Sequence, residues 1–416
     1  MIPFLRENAR WIGGGLLLTF LSSFGQTFFI ALSAGELREA FGLSHGGFGW
    51  LYMLATLASA ATLPFLGRVV DVTTVRRTLL AFIPALALAC LGMALVPNVA
   101  LLVLVIYGLR LFGQGMMTHV AMTAMGRWYA ARRGKAVSVV ALGHQAGEMA
   151  LPLLFVWLLA VGLDWRAVWL GCAAFLLFVG LPAAARLMAV EREPEGTATA
   201  NGSAARDWTR AEVLRDPAFW VMMTGVLAPA FIGTTVFFHQ VYMVELRGWS
   251  PVAFASGFTI MGALTVVSGL ATGALIDRFG SLRILPVFTA PLAASCLVLG
   301  LVPDQWAIFV FFPLLGVSYG MSQTLFGALW PEVYGTRHLG AVRSSVVAMM
   351  VFATAAGPGL TGALIDAGIG LPRQLVVMAA YCVGVGAVLA LVAARVRGRM
   401  RASMRGGGVA ARAAPA

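Results

Sequence analysis

The chain has 416 residues, 60% of them hydrophobic and only 11% charged, with a formal net charge of +12. A water-soluble globular domain carries about 25% charged residues, so a soluble fold is excluded. The apolar residues fall in runs of roughly 20, the length that crosses about 30 Å of hydrocarbon at 1.5 Å per residue, and the positive balance then needs no nucleic acid as partner.

The first apolar run follows Met1–Arg10 and predicts a span over 12–34; it is too long for the apolar core of a signal peptide. Further spans are predicted over 44–66, 78–96, 100–125, 136–160 and 166–188. A polar stretch follows at 190–215, containing EREPEGTATANGSAARDWTR, which has no apolar face to bury and reads as a flexible cytoplasmic linker. Six more spans are expected over 217–243, 252–274, 284–302, 305–330, 342–366 and 373–395. The remaining residues are basic and rich in Gly and Ala. The expected organisation is an N-terminal six-helix bundle at 1–189, a linker at 190–215, a C-terminal six-helix bundle at 216–396 and a basic flexible cytoplasmic tail at 397–416.

The placement of the cations tests this arrangement. Of 29 Lys and Arg, Arg38, Arg166, Arg247 and Arg373 fall outside when both termini are cytoplasmic, and Arg110 lies within a span. All the others fall inside, as the positive-inside rule requires of a multi-pass protein of the cell (inner) membrane. The four cysteines, Cys90, Cys172, Cys296 and Cys382, each sit in an apolar run. They read as small buried hydrophobes, with neither a disulfide framework nor a metal site.

Few polar residues stand inside the spans, and a charge there is costly, about 2.5–3.5 kcal/mol on the insertion scale. Arg110 lies near the middle of the fourth span, with Gln114 and Thr118 at helical spacing and His119 a turn deeper. Glu148 lies at similar depth in the fifth span, with His144 one turn away on the same face. A short loop joins these spans as antiparallel neighbours, so Arg110 and Glu148 are expected to approach each other. Either they form a structural ion pair, or a substrate or proton breaks the pair during work. His239 stands near the outer end of the seventh span; His119, His144 and His239 all have side chains that titrate near physiological pH, and each is equally readable as a helix contact.

The halves repeat. Gly67 and Asp71 match Gly273 and Asp277, Arg77 matches Arg283, Cys90 matches Cys296 and Pro152 matches Pro358. Six spans plus six in the same orientation form a parallel repeat, a geometry used by secondary transporters. The predicted fold is therefore an all-α membrane protein of twelve transmembrane helices in two pseudo-symmetric six-helix bundles.

Twelve spans, a long central loop and the G-x-x-x-D-x-x-x-x-R-R motif carried by Gly67, Asp71, Arg76 and Arg77 resemble the major facilitator superfamily. A weaker copy is carried by Gly273, Asp277, Arg278 and Arg283. The resemblance implies alternating access, with a cavity between the halves lined mainly by spans 1, 4, 7 and 10. It also implies a cytoplasmic latch made by Gly67, Asp71, Arg76, Arg77, Asp277 and Arg283, although these charges are equally placed to anchor the loops among headgroups.

Residues 126–154, GRWYAARRGKAVSVVALGHQAGEMALPLL, are similar to the pattern of monocarboxylate and oxalate/formate transporters through Arg127, Trp128, Tyr129, Arg132, Arg133, Ala136, Gly143, Pro152 and Leu153. His239, Gly248 and Ser250 add to this likeness. The branch implied is proton-coupled import of a small organic anion such as a monocarboxylate. Arg110, Gln114, His119 and His239 would bind substrate, and Glu148 and His144 would couple the proton. The alternative is proton-coupled efflux of an amphipathic drug-like compound, since Arg110, Gln114 and Gly115 resemble the fourth-span motif of drug/proton antiporters. No nucleotide loop, metal-ligand spacing or nucleophile motif is present in the sequence. The expected partners are thus a small-molecule substrate, a proton and the lipid bilayer, with no cofactor and no nucleic acid, in a functional monomer that is not an enzyme.

Overall fold

The computed structural model describes residues 2–129, 132–193, 207–335 and 337–412. Every regular element among them is helical. Among the described residues, ten helices are long and apolar enough to cross a membrane, and the bent pair Ala9–Gly25 and Thr27–Phe41 makes eleven if it is one span. The ninth predicted span, 284–302, is the element that falls short. It is a helix of 12 residues, Ala290–Leu301, preceded by the short helix Ser281–Ile284. Pro286 and Pro291 explain this, because each lacks the N–H that a continuous helix needs; Pro291 fits only because it stands in the first turn of the new helix.

Polar residues in the loops start the helices where the apolar runs begin. Ser44, Thr74, Asn98 and Asp164 each accept a hydrogen bond from a backbone N–H of the following first turn. Each cap satisfies one of the amides that a helix start leaves without a partner, an effect of about 1 kcal/mol.

The chain packs as two compact units. The first comprises Met1–Thr199, Thr234–Gly262 and Ala355–Gly368, and the second Ala200–Gly233, Ala263–Thr354 and Ile369–Ala416. Residues 234–262 and 355–368, which fall in predicted spans 7, 8 and 11, thus pack with the first unit.

In the first unit, the first span lies along the fifth. A β-carbon at Gly143 would strike the Leu16 carbonyl and Thr19 hydroxyl, and one at Gly147 would strike the Ser23 hydroxyl. This pair of small residues brings two backbones into contact, as it does in helix pairs within lipid. Phe29 fills the adjoining core against Phe24, Phe155 and Trp169, and Trp169 donates to Ser33 Oγ at 2.9 Å. In the second unit, Ala290–Leu301 packs on Leu371–Arg412 and on Ile308–Tyr334, around Phe219, Leu285, Phe288, Trp330 and Leu389.

Both units are tied at their arginine-rich end in a similar way. Tyr129 donates to Asn8 Oδ1 at 3.1 Å and Arg192 donates to the same oxygen at 2.7 Å. Tyr334 and Arg399 donate to Asp216 Oδ2 at 3.1 and 2.9 Å. Arg399 and Arg397, which donates to the Leu282 carbonyl at 3.0 Å, hold the start of the predicted tail. The backbone there continues the last helix as far as Arg412. Arg, Ala and Met in this stretch are strong helix formers. The linker expected at 190–215 is described only in part, residues 194–206 lying outside the described residues. Its end is ordered, with Thr209 and Glu212 forming a reciprocal cap on the helix Arg210–Arg215. The four cysteines are free and buried.

Candidate functional site

The site begins with a break in the first span. Its sequence there is Ser22-Ser23-Phe24-Gly25-Gln26-Thr27. The Ser22 hydroxyl donates back to the Thr19 carbonyl at 2.6 Å, and glycine is a poor helix former. The helix tightens over Ser22–Gly25, Gln26 becomes extended at φ −84° and ψ 153°, and a new helix starts at Thr27, bent by 44°. A break inside a span leaves carbonyls without their helical donors, which is tolerated only where protein supplies others.

Arg110 supplies one. It is 3% exposed and donates through Nη1 to the Gly25 carbonyl at 3.2 Å and weakly to Thr27 Oγ1 at 3.4 Å. The Thr27 hydroxyl is itself bonded to the Tyr52 hydroxyl at 2.6 Å, and the Arg110 guanidinium lies 5.5 Å from the centre of the Tyr52 ring. The segment that carries Arg110, Leu109–Met117, is widened into a π-helix, a form that often accompanies functional sites. It crosses the break at backbone distance, because a β-carbon at Gly25 would lie 2.7 Å from the Gly113 Cα and 2.8 Å from the Gln114 nitrogen. The Arg110 Nε is buried and has no acceptor.

The expected approach of Arg110 to Glu148 does not occur, and the two form no ion pair. The π-helical segment packs on the break of the first span and on the second span, whereas the fifth span packs along the first and meets the fourth at Thr118–Trp128. A short loop makes two helices neighbours at the loop, but here they diverge away from it. Glu148 is 4% exposed and makes no hydrogen bond or ion pair among the described residues. Beside it in the chain, Gly147 rests on Ser23, and the hydroxyl of Ser23 and the Oε1 of Gln145 are buried without partners. His144 is half-buried, its ring 6.2 Å from that of Phe28.

The other expected residues separate into different places. Gln114 is half-buried and shares no hydrogen bond with Arg110. His119 packs toward the loop motif, its Nε2 3.0 Å from where a Gly67 β-carbon would stand. His239 is buried, and its Nε2 pairs with Thr361 Oγ1 at 3.0 Å. Arg76, Arg77, Asp277 and Arg283 are exposed, and their side chains make no hydrogen bond or ion pair among the described residues. The side chain of Asp71 lies outside the described residues. The charge contact present near Gly67 is instead Arg127 with Glu191 at 3.0 Å, and Glu191 also accepts from the Val75 nitrogen at the start of the third span at 3.1 Å.

Sequence reasoning missed Thr27, Tyr52 and Glu191. The polar run Ser22–Thr27 inside an apolar span was the available signal for Thr27.

Comparison with known proteins places these features in a family. A family model described as Major Facilitator Superfamily matches residues 15–358, and the chain belongs to that superfamily. It is 24% identical to the oxalate:formate antiporter of Oxalobacter formigenes over 330 residues, 78% of this chain and 76% of that one. It is 28% identical over 167 residues to the MFS-type transporter pytF of Aspergillus terreus, 40% of this chain and 53% of that one. The structure of a bacterial homolog to the human lysosomal transporter Spinster, inward-facing and unoccupied, superposes with a TM-score of 0.66 at 16% identity, covering 96% of this chain and 98% of that one. The nucleoside transporter NupG gives a TM-score of 0.67 at 13% identity, covering 92% and 99%. At these identities the two structures speak for the fold alone. The protein is a multi-pass membrane transporter for small molecules and not an enzyme.

Proposed function

We propose that the chain is a twelve-span secondary active transporter of two pseudo-symmetric bundles. It works by alternating access as a monomer in the cell (inner) membrane, with both termini cytoplasmic. It imports a small organic anion, a monocarboxylate, together with a proton. The observation that carries this reading is Arg110, a guanidinium buried within a span whose Nε has no acceptor. Leaving a charged donor unsatisfied there is costly. Nε and the adjacent terminal nitrogen form the edge that takes a carboxylate through two parallel bonds. Thr27 and Tyr52 supply hydroxyls on the other side of the guanidinium. The likeness to the oxalate:formate antiporter supports small carboxylates as the class.

Glu148 is the proton carrier in this reading. A buried carboxylate without a partner is relieved by taking a proton. Arg110 and Glu148 do not touch, so substrate and proton occupy separate places, and a monocarboxylate and a proton cross together with no net charge. The second reading, efflux of an amphipathic compound, draws on the rings beside the Glu148 span. Phe28 stands 6.2 Å from His144 and 6.1 Å from Phe258, which is 5.1 Å from Phe237, and aromatic faces attract organic cations.

The test uses purified protein in liposomes with a pH dye inside. Formate, acetate, lactate and oxalate are offered, then lipophilic cations. Acidification driven by a carboxylate and lost in Glu148→Gln supports import with a proton. Proton movement with cations alone overturns it in favour of efflux.

A further inference from the structure

The outer start of the second span and the outer end of the eleventh meet more closely than loops do. Both stretches lie in the first compact unit. The helix His45–Leu66 begins with amides that have no helical partner. Ser44 Oγ accepts from the Gly47 nitrogen at 2.9 Å, and the Ser44 carbonyl accepts from Phe48 at 3.0 Å. The remaining two amides are taken by one carboxylate from far along the chain. The His45 nitrogen donates to Asp366 Oδ1 at 3.1 Å and the Gly46 nitrogen to Oδ2 at 2.8 Å. Asp366 is the last residue of the helix Leu339–Asp366. An anion at this position also gains from the positive end of the second span's dipole.

Glycines make the seam possible. A β-carbon at Gly46 would lie 2.6 Å from Asp366 Oδ2 and 3.0 Å from the Ala363 Cα. One at Gly49 would strike the Pro358 carbonyl, and one at Gly362 would lie 2.8 Å from the His45 carbonyl carbon. Two further bonds run beside the seam. His239 pairs with Thr361, and Gln240 Nε2 donates to the Phe28 carbonyl at 2.8 Å.

We infer that Asp366 is an outer latch, holding the outer ends of spans 2 and 11 together by capping the second span. The inference rests on the alternating-access reading, in which these ends must part to admit substrate from outside. The latch is suited to reversal. Asp366 is exposed, so water replaces both partners when the ends separate, and net hydrogen-bond energies are small when water is the alternative. It also mirrors the inner motif: Asp71 follows the second span at one face, and Asp366 ends the eleventh span at the other.

The experiment places nitroxide labels on cysteines at Ala40 and Ala367, both exposed, in full-length protein in liposomes, and reads the distance distribution with carboxylate uptake measured in parallel. Asp366→Ala is expected to raise the longer-distance population about tenfold over wild type. Asp366→Asn, which keeps an acceptor but no charge, should fall between. Gly49→Ala should open the same seam from the opposite helix with Asp366 intact, which keeps the test available if the Asp366 variants fail to fold. Unchanged distances in Asp366→Ala overturn the latch, whether or not Gly49→Ala opens the seam; with no folded Asp366 variant, an unchanged Gly49→Ala overturns it. Wild-type protein that carries carboxylates while Asp366→Ala stays closed removes the latch and leaves the substrate reading. An Asp366→Ala protein that opens, in a transporter that carries no carboxylate, does the reverse.

Discussion

Arg110 and Glu148 stand in consecutive spans, and both are nine-tenths buried or more, yet the protein treats them oppositely. Arg110 is built into a junction: its Nη1 donates to Gly25 and Thr27 of the broken first span, and the Tyr52 ring of the second span lies 5.5 Å from the guanidinium. Glu148 has no such junction. On the same helix Gln145 Oε1, and on the first span the Ser23 hydroxyl that Gly147 rests against, are also buried without partners. The difference teaches that a buried charge can be made permanent by backbone carbonyls freed from a helix. A charge given no partner is suited to a group that gains and loses a proton.

Four measurements break or sharpen this contrast. The largest effect is expected from Gly25→Ala, whose β-carbon has no space against the Leu109 carbonyl and Gly113. The junction should fail to form, with most protein lost as aggregate on size-exclusion chromatography; a well-folded variant would mean that the crossing is looser than described. Next comes Arg110→Met, which leaves the Gly25 carbonyl without its donor, a cost of about 1–3 kcal/mol. A lowered melting temperature together with at least about a 100-fold loss of carboxylate uptake is expected, about two factors of ten at 1.4 kcal/mol each. Unchanged stability would separate Arg110 from the break. Glu148→Gln should melt as wild type does while losing proton movement, since no bond is removed; a large loss of stability would reveal a partner and make Glu148 structural. The smallest effect is expected from Tyr52→Phe, which removes the hydroxyl on Thr27 and keeps the ring. The substrate KM should rise by about tenfold or less, consistent with one hydrogen bond, with little change in maximal rate.

Much of the fold was legible because a bilayer allows few solutions: every backbone group must be satisfied within the segment, so apolar runs of sufficient length become helices. The exceptions had local signs. Pro286 and Pro291 shorten the ninth predicted span, and Ser22, Ser23, Gly25 and Gln26 mark the break in the first. The candidate charges were legible, but not the neighbours each one meets. Arg110 and Glu148 are both buried. Which neighbour each faces depends on the first span lying along the fifth through Gly143 and Gly147, and no spacing within one helix encodes that. His119 and His239, expected with Arg110, lie instead against Gly67 of the loop motif and against Thr361.

The sequence by itself determined that this is a membrane protein, where most of its spans lie, which few charges they contain and to which superfamily it belongs. These follow from local hydrophobicity, turn residues and a loop motif, all properties of contiguous residues. Only the tertiary structure decided that Arg110 serves the broken first span, that Glu148 stands apart, and that Asp366 caps a helix starting at His45. Each joins residues distant in the chain, and close packing of helices around small residues selects those meetings.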